Sequence, residues 1–238
     1  MLRTEDHGPV RLLHLGPRDG APRLHAAACA AAVEALQIAG DDPRVRLLLL
    51  AGEGLRFCVG GPWALLHGPG RSPGADAELA ALDAGHQLLE ALHHLEKPTL
   101  AAVEGEAAGL GCTLALACDL VVATGASRFQ PWPQGLPAAE GAGERWLAER
   151  LPHALRQEML WTGEALEAGR LHALGLINRI CPPGQALREA LKLAEAVLHA
   201  GRHRPPLRAA RNGPGETPLH LLLAAERQAL IARLLRSA

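Results

Sequence analysis

The sequence of 238 residues contains no tyrosine, and aromatic side chains make up only 3% of it. Its apolar runs are all shorter than the roughly 20 residues that a membrane-spanning helix requires. Lysine and arginine together number 24 against 25 acidic residues, so there is no excess of positive charge to attract nucleic acid. The short apolar runs and the balanced charge predict a chain that neither spans a membrane nor binds nucleic acid.

Paired cysteines and metal-binding patterns are also missing. The cysteine count is odd, no CxxC pair occurs, and the 12 histidines are scattered without HExxH spacing. The first eight residues are polar and do not resemble a secretory signal. We therefore expect no metal, a cytoplasmic location, and reduced thiols at all five cysteines, Cys29, Cys58, Cys112, Cys118 and Cys181.

The rest of the composition, 48% hydrophobic and 21% charged, is typical of a globular protein long enough for one large α/β domain. Hydrophobic periodicity and the positions of glycine and proline predict the individual elements. The predicted strands are 10–15, 47–51, 99–103, 120–123 and 176–180. The predicted helices are 24–39, 77–95, 141–151, 155–161, 164–174, 185–200 and 218–235, and 68–74 and 129–140 are irregular.

The stretch from Lys97 to Asp119 has the most informative pattern. A short apolar strand is followed by a turn at Glu104 and Gly105, by the glycines Gly109 and Gly111, and by an apolar helix. The beginning of such a helix offers unpaired N–H groups and the positive end of the helix dipole. This arrangement suits either a phosphate or an oxygen that gains negative charge during a reaction.

A second junction of the same kind follows the strand at 47–51. Gly60 and Gly61 precede Pro62, a residue suited to the first position of a helix. Two strand–glycine–helix junctions could each direct one N–H group at the same carbonyl oxygen.

Three ordered motifs resemble the crotonase, or enoyl-CoA hydratase/isomerase, superfamily: VRLLLLAGEGLRFCVGG at 45–61, KPTLAAVEGEAAGLGCTLALACDLVVA at 97–123 and WTGEALEAGRLHALGLINRI at 161–180. The resemblance implies an α/β crotonase-like fold with a superhelical core of ββα units. It places the acyl-CoA-binding core at 1–180. Residues 181–238 would form a helical oligomerisation region of the same domain, in a homotrimer or hexamer.

The resemblance also implies a substrate and a site. Relatives hold the carbonyl oxygen of an acyl thioester with two backbone N–H groups, which correspond here to Gly61 and Leu110. The thioester, of coenzyme A or of an acyl-carrier protein, would be the substrate, and no cofactor is expected. The implied substrate-binding residues are Arg56, Cys58, Gly60, Gly109, Thr113 and Trp132. Arg56 matches a basic position near the coenzyme A phosphates or adenine, but a solvated surface arginine would give the same pattern.

The sequence departs from the family at its acid and base. Hydratases of the family use two glutamates, and the first corresponds here to Thr113, whose hydroxyl is no general base near neutral pH. The segment expected to carry the second has no carboxylate, and none occurs between Asp119 and Glu140. The two-glutamate hydration mechanism is therefore not expected.

Glu140 is the nearest remaining carboxylate. It follows Trp132 by eight residues, as a nucleophilic aspartate follows a tryptophan in the aromatic dehalogenase branch of the family. Glu140 could be a single proton-shuttling base or a surface residue at a helix N-terminus. Further candidates are His67, His86 and Glu106. The sequence favours an exposed loop charge for Glu106 and a structural or solvated histidine for His86 over a catalytic role.

Two hypotheses follow. The first is an enzyme that stabilises a thioester enolate and catalyses double-bond isomerisation or decarboxylation rather than hydration. The second is a homologue that binds an acyl thioester without converting it.

Overall fold

A computed structural model describes residues 2–16, 23–62, 74–130, 151–201 and 217–237. The predictions for His67, Trp132 and Glu140 lie outside the described residues. The predicted helix at 141–151 also lies outside them, except for its last residue.

The larger of two sheets has six strands, and its order in space is β1-β2-β3-β5-β7-β10. The strand β1 pairs antiparallel with β2, and the other neighbours pair in parallel. Its strands are β1 (Arg3–His7), β2 (Val10–Leu15), β3 (Leu47–Gly52), β5 (Thr99–Val103), β7 (Leu120–Thr124) and β10 (Arg179–Cys181). The middle strands are apolar along their whole length because both faces of this sheet are covered.

The smaller sheet has four strands in the order β4-β6-β8-β9. Its first three strands are parallel, and β9 pairs antiparallel with β8. These strands are β4 (Arg56–Cys58), β6 (Glu106–Ala108), β8 (Arg128–Gln130) and β9 (Leu166–Glu167).

Seven helices lie within the described ranges: α1 (Ala26–Asp41), α2 (Ala75–His94), α3 (Leu110–Ala117), α4 (His153–Thr162), α5 (Ala168–Ala173), α6 (Ala186–Ala200) and α7 (Leu219–Ser237). A strand of the larger sheet is repeatedly followed by a short strand of the smaller one, as in β3–β4, β5–β6 and β7–β8. The helix α3 follows β5 and β6 and completes a unit of two strands and one helix. This repeat is the ββα architecture that the sequence led us to expect.

Alternate residues of the larger sheet face two separate apolar layers. Leu48 and Leu50 pack toward α1, α2 and α3, whereas Leu47 and Leu49 pack toward α6. The pattern follows from the period of two along a strand. The sheet is thus enclosed on both faces, and α3 begins beside its first layer.

Most of the predicted elements are confirmed, with shifts of one or two residues at their ends. Three details were wrong. Glu106 belongs to β6 instead of a turn, residues 129–130 belong to β8 instead of an irregular segment, and the predicted helix at 164–174 begins with β9. The predicted strand at 176–180 is limited to β10, and β1 had no prediction. The strands of the smaller sheet are short, and pairing with neighbours distant in sequence defines them, whereas β1 pairs with the adjacent β2.

The last helix, α7, packs against α2, the long helix before β5. Apolar contacts among Leu79, Leu82, Leu230 and Leu234 form the centre of this helix pair. In the described ranges no helix combines the length and apolar content needed to cross a membrane.

Candidate active site

The two glycine-containing junctions lie side by side because β4 and β6 are parallel neighbours. Parallel strands end at the same edge of a sheet. Gly60 and Gly61 follow the end of β4, and Gly109 and Leu110 follow the end of β6, where α3 begins. The topology therefore brings the two junctions together, and their joint binding of one carbonyl oxygen stays a prediction.

The contact between the junctions is close. A Cβ atom built on Gly61 would lie 2.8 Å from Leu110 Cδ2 and 2.9 Å from Leu110 Cβ. A Cβ atom on Gly111 would lie 2.1 Å from the carbonyl oxygen of Cys58. Real side-chain carbons do not approach other atoms so closely, so glycine at both positions lets the β4 junction and the first turn of α3 touch.

Backbone hydrogen bonds fix the orientation of the junctions. The Gly109 N–H donates to the Gln130 carbonyl at 2.8 Å, and the Gly109 carbonyl accepts from the Thr113 N–H at 3.1 Å. Gly109 has φ of 51°, in the left-handed region, which turns the chain from β6 into α3. The Gly60 carbonyl accepts from the Leu24 N–H at 3.0 Å. Within the described part of the chain, no hydrogen bond occupies the N–H groups of Gly61 or Leu110.

These two amides are suited to an anionic oxygen. Leu110 is the first residue of α3, so its N–H lies at the positive end of the helix dipole. Both residues are buried. Electrostatic attraction is stronger in such surroundings than in water.

Two side chains predicted to contact substrate are directed at the backbone instead. The Cys58 thiol donates to the Gly60 carbonyl oxygen at 3.4 Å, and burial raises the pKa of Cys58 to about 11. The hydroxyl of Thr113 is fully buried and donates to the Gly109 carbonyl oxygen at 3.4 Å. Thus Cys58 remains a neutral thiol at physiological pH, and Thr113 strengthens the first turn of α3. Their contact with substrate stays a prediction.

Arg56 and Glu106 lie at the opposite end of the smaller sheet. They occupy the first positions of β4 and β6, and in the strand register Glu106 lies between Arg56 and Arg128. Arg56 is exposed and Glu106 is half-buried. The predicted role of Arg56 in binding coenzyme A stays a prediction. The interpretation of Glu106 as an exposed loop charge was wrong, because Glu106 is part of a strand.

His86 is neither solvated nor surrounded by apolar atoms alone. It lies on the buried face of α2, and its Nε2 is 2.6 Å from Oε2 of Glu226 on α7. Sequence reasoning missed Glu226. The two residues are 140 positions apart, and only the packing of α7 on α2 brings them together.

Two residues of the 97–123 motif, Asp119 and Lys97, form hydrogen bonds that join elements next to the candidate site. The Asp119 carboxylate accepts from the Thr99 N–H at 2.7 Å and from its hydroxyl at 2.8 Å, which ties the start of β5 to the end of α3. Lys97 donates from Nζ to the carbonyl oxygens of Ala39 and Asp42 and so caps α1. Burial lowers the pKa of Lys97.

Among the residues that the structure describes, no three His, Cys, Asp or Glu side chains are grouped closely enough to hold a metal ion. The five cysteines are all buried and unbridged.

The model of the enoyl-CoA hydratase/isomerase family matches residues 17–230. The chain belongs to this family. A crotonyl-CoA hydratase of Syntrophomonas wolfei is similar to it, with 31% identity over 174 residues, or 71% of this chain and 64% of the hydratase. A 2,3-dehydroadipyl-CoA hydratase of Escherichia coli is 32% identical over 203 residues, or 82% of this chain and 75% of that protein.

Solved structures of the enoyl-CoA hydratase/isomerase family share the fold. The crystal structure of an enoyl-CoA hydratase from Polaromonas sp. JS666 is 32% identical and has a TM-score of 0.79. It aligns with 98% of this chain and with 91% of that chain. The predicted crotonase-like fold is therefore confirmed. The match to the Syntrophomonas protein covers less than two thirds of that protein's own length.

Proposed function

We propose that this protein is an enzyme acting on acyl thioesters and that it stabilises the enolate form of the thioester with the N–H groups of Gly61 and Leu110. The observation that carries the proposal is the direct contact of the two junctions, with both amides unoccupied in the described part of the chain. The thioester oxygen gains charge as the enolate forms. Fixed donors therefore stabilise the transition state more than the substrate.

The reaction we propose is double-bond isomerisation or decarboxylation. In isomerisation a base removes a proton from C2 of a 3-enoyl thioester, the electron pair enters the enolate, and a proton returns at C4. In decarboxylation the bond to the carboxylate breaks, carbon dioxide leaves with no base required, and a proton then adds to the enolate carbon. Hydration is disfavoured because Thr113 replaces the first family glutamate and its hydroxyl is engaged with the Gly109 carbonyl.

The same engagement of Thr113 supports a second candidate, a homologue that binds an acyl thioester without turnover. A panel assay by mass spectrometry separates the two. The purified protein is incubated with crotonyl-, 3-enoyl-, 2,4-dienoyl-, malonyl- and methylglutaconyl-CoA. A shifted double bond at unchanged mass, or the loss of carbon dioxide, supports the enzyme. Addition of water to crotonyl-CoA at an enzymatic rate would contradict the choice of reaction. Binding without conversion of any thioester would favour the second candidate.

A proline at position 110 tests the amide itself. Leu110 is the first residue of α3, a position where proline is tolerated, so Leu110→Pro removes the N–H group while the helix can persist. We expect turnover to fall by about 10²- to 10³-fold. The matched control, Leu110→Ala, keeps the amide and loses only the side chain. Circular dichroism and the melting temperature establish that both variants fold. If folded Leu110→Pro and Leu110→Ala turn over equally fast, Leu110 is not the oxyanion donor.

We further propose that the protein forms a homotrimer or hexamer. Large apolar side chains are exposed on the outer helices, Trp161 at 81% on α4 and Leu235 at 75% on α7. Burial of such side chains between subunits would be favourable. Light scattering coupled to gel filtration measures the mass directly, and a monomeric mass would overturn this proposal.

A further inference from the structure

The pair formed by His86 and Glu226 is the most deeply buried ionisable pair between α2 and α7. The side chain of His86 is 8% exposed and that of Glu226 is fully buried. Two arginine–carboxylate pairs join the same helices, Asp83 with Arg227 and Glu78 with Arg233, and both arginines reach solvent. The histidine–glutamate pair thus differs from its neighbours in burial and in having an imidazole in place of a guanidinium.

A purely structural reason for this pair is weak. Apolar contacts already hold α2 against α7, since Leu82 and Leu230 are fully buried and pack together in this helix pair. Replacing a buried ionic pair with apolar side chains of similar volume often leaves stability unchanged or improved. We therefore expect the two helices to dock without the pair.

The helices that carry the pair pack on the same apolar core as the proposed active site. On α2, His86 lies between Leu82 and Leu89, and Leu89 belongs to the same apolar cluster as Leu110. On α7, Glu226 follows Leu222 by one helical turn, and Leu222 also belongs to that cluster. His86 and Glu226 are thus each about one helical turn from a side chain in the same apolar cluster as Leu110. The helix α2 also packs on α3.

The arrangement of the two groups is that of an oriented base. The carboxylate of Glu226 lies at Nε2, so a neutral His86 carries its proton on Nε2 and has an acceptor lone pair on Nδ1. A carboxylate that fixes the tautomer of a histidine and stabilises its protonated form is a recurrent feature of catalytic histidines.

We propose that His86 is the base of the reaction and that Glu226 is its positioning residue. This inference rests on the proposed function. Nδ1 of His86 takes a proton from C2 of the acyl thioester, and the electron pair of the C–H bond moves into the enolate held at Gly61 and Leu110. The imidazolium then returns the proton to C4 or to C2, and Glu226 stabilises it in the meantime. The pair thus supplies the proton transfer that Thr113 cannot.

The test measures proton exchange separately from net turnover. The full-length protein is incubated in D₂O with butyryl-CoA, and deuterium at C2 is followed by NMR, with binding measured in parallel by calorimetry. We expect wild-type protein to exchange and His86→Ala to exchange about 10²- to 10⁴-fold more slowly. Added imidazole should restore part of the rate in His86→Ala, which a structural role would not explain. His94→Gln, an exposed histidine on the same helix, is the matched control and should exchange at the wild-type rate.

Two further variants guard against a folding defect. Glu226→Gln keeps the volume and a hydrogen-bonding oxygen, and its exchange should fall by less than that of His86→Ala. The double variant His86→Leu with Glu226→Leu should stay folded and lose exchange. Wild-type exchange in the folded double variant would overturn the role of His86 while leaving the proposed function intact. A wild-type protein that binds butyryl-CoA, exchanges nothing and converts no thioester of the panel would overturn both.

Discussion

The junction around Gly61 and Leu110 and the α2–α7 helix pair are held together in different ways. At the junction the backbone of one segment touches the next, and a Cβ atom on Gly111 would lie 2.1 Å from the Cys58 carbonyl oxygen. At the helix pair, side chains fill the interface, and two arginine–carboxylate pairs and the His86–Glu226 contact cross it. The backbone contact at the junction therefore requires glycine at position 111, whereas side chains determine the contact between the two helices.

This difference bears on how a family can keep one substrate class and change its reaction. Backbone N–H donors do not depend on side-chain identity. The proposed donors of Gly61 and Leu110 can therefore be kept while the acidic or basic side chains of the active site change. A general base is a side chain and can be supplied by any helix that reaches the substrate. In this chain Thr113 occupies the first family glutamate position, and a buried histidine lies on a neighbouring helix.

The largest expected effect is that of Gly111→Ala. The added methyl group would meet the backbone of Cys58, which cannot rotate away, so we expect the unfolding free energy to fall by about 3 kcal/mol or more. Denaturant titration followed by circular dichroism measures the change. Gly169→Ala on α5, where a Cβ has nothing within 4 Å, is the control and should be neutral or slightly stabilising. Equal stability of the two variants would contradict the close contact at the junction.

The second-largest loss of unfolding free energy should follow removal of one partner of the His86–Glu226 pair. Glu226→Ala leaves the buried imidazole of His86 without its hydrogen-bond partner, and we expect a loss of about 1 to 3 kcal/mol in unfolding free energy. The double variant His86→Leu with Glu226→Leu should instead be as stable as wild type, or up to about 4 kcal/mol more stable. Guanidinium titrations of the three proteins give both values. A double variant less stable than Glu226→Ala would make the pair a structural requirement and would remove the contrast with the junction.

A similar or smaller loss is expected for Gly61→Ala. Here the added carbon meets the Leu110 side chain rather than backbone, so the cost should be about 1 to 3 kcal/mol. Leu110→Gly removes the obstructing atoms, and the double variant should recover much of the loss introduced by Gly61→Ala. Unfolding free energies of the four members of this cycle give the coupling between the two positions. Strict additivity would mean that Gly61 and Leu110 do not touch.

The smallest effect should follow Arg227→Ala. The side chains of Arg227 and Asp83 are 42% and 37% exposed, so solvent and salt screen their attraction. We expect a loss of about 0.2 to 1 kcal/mol that shrinks as salt is raised. Urea titrations at low and high sodium chloride concentration measure it. A loss comparable to that of Glu226→Ala would show that the helix pair depends on its surface charges.

The sequence was sufficient to predict most strands of the larger sheet and the two strand–glycine–helix junctions. Uninterrupted apolar runs such as Leu47–Ala51 predict buried parallel strands, and the glycines after them mark the turns into helices. The short strands β4, β6, β8 and β9 were harder. Each has two or three residues, and its existence depends on pairing with a partner far along the chain. The roles of Arg56, Cys58, Thr113 and Trp132 in binding substrate stay predictions.

By itself, the sequence determined the order of the main strands and helices, because these depend on local patterns of apolar residues and glycine. Three motifs determined the family, and the roles of the Gly61 and Leu110 amides, which the resemblance implies, stay a prediction. Only the tertiary structure decided what surrounds His86. A histidine on an apolar helix face looks the same in sequence whether it is solvated, structural or reactive. The partner that distinguishes these cases is Glu226, on a helix brought alongside by long-range packing.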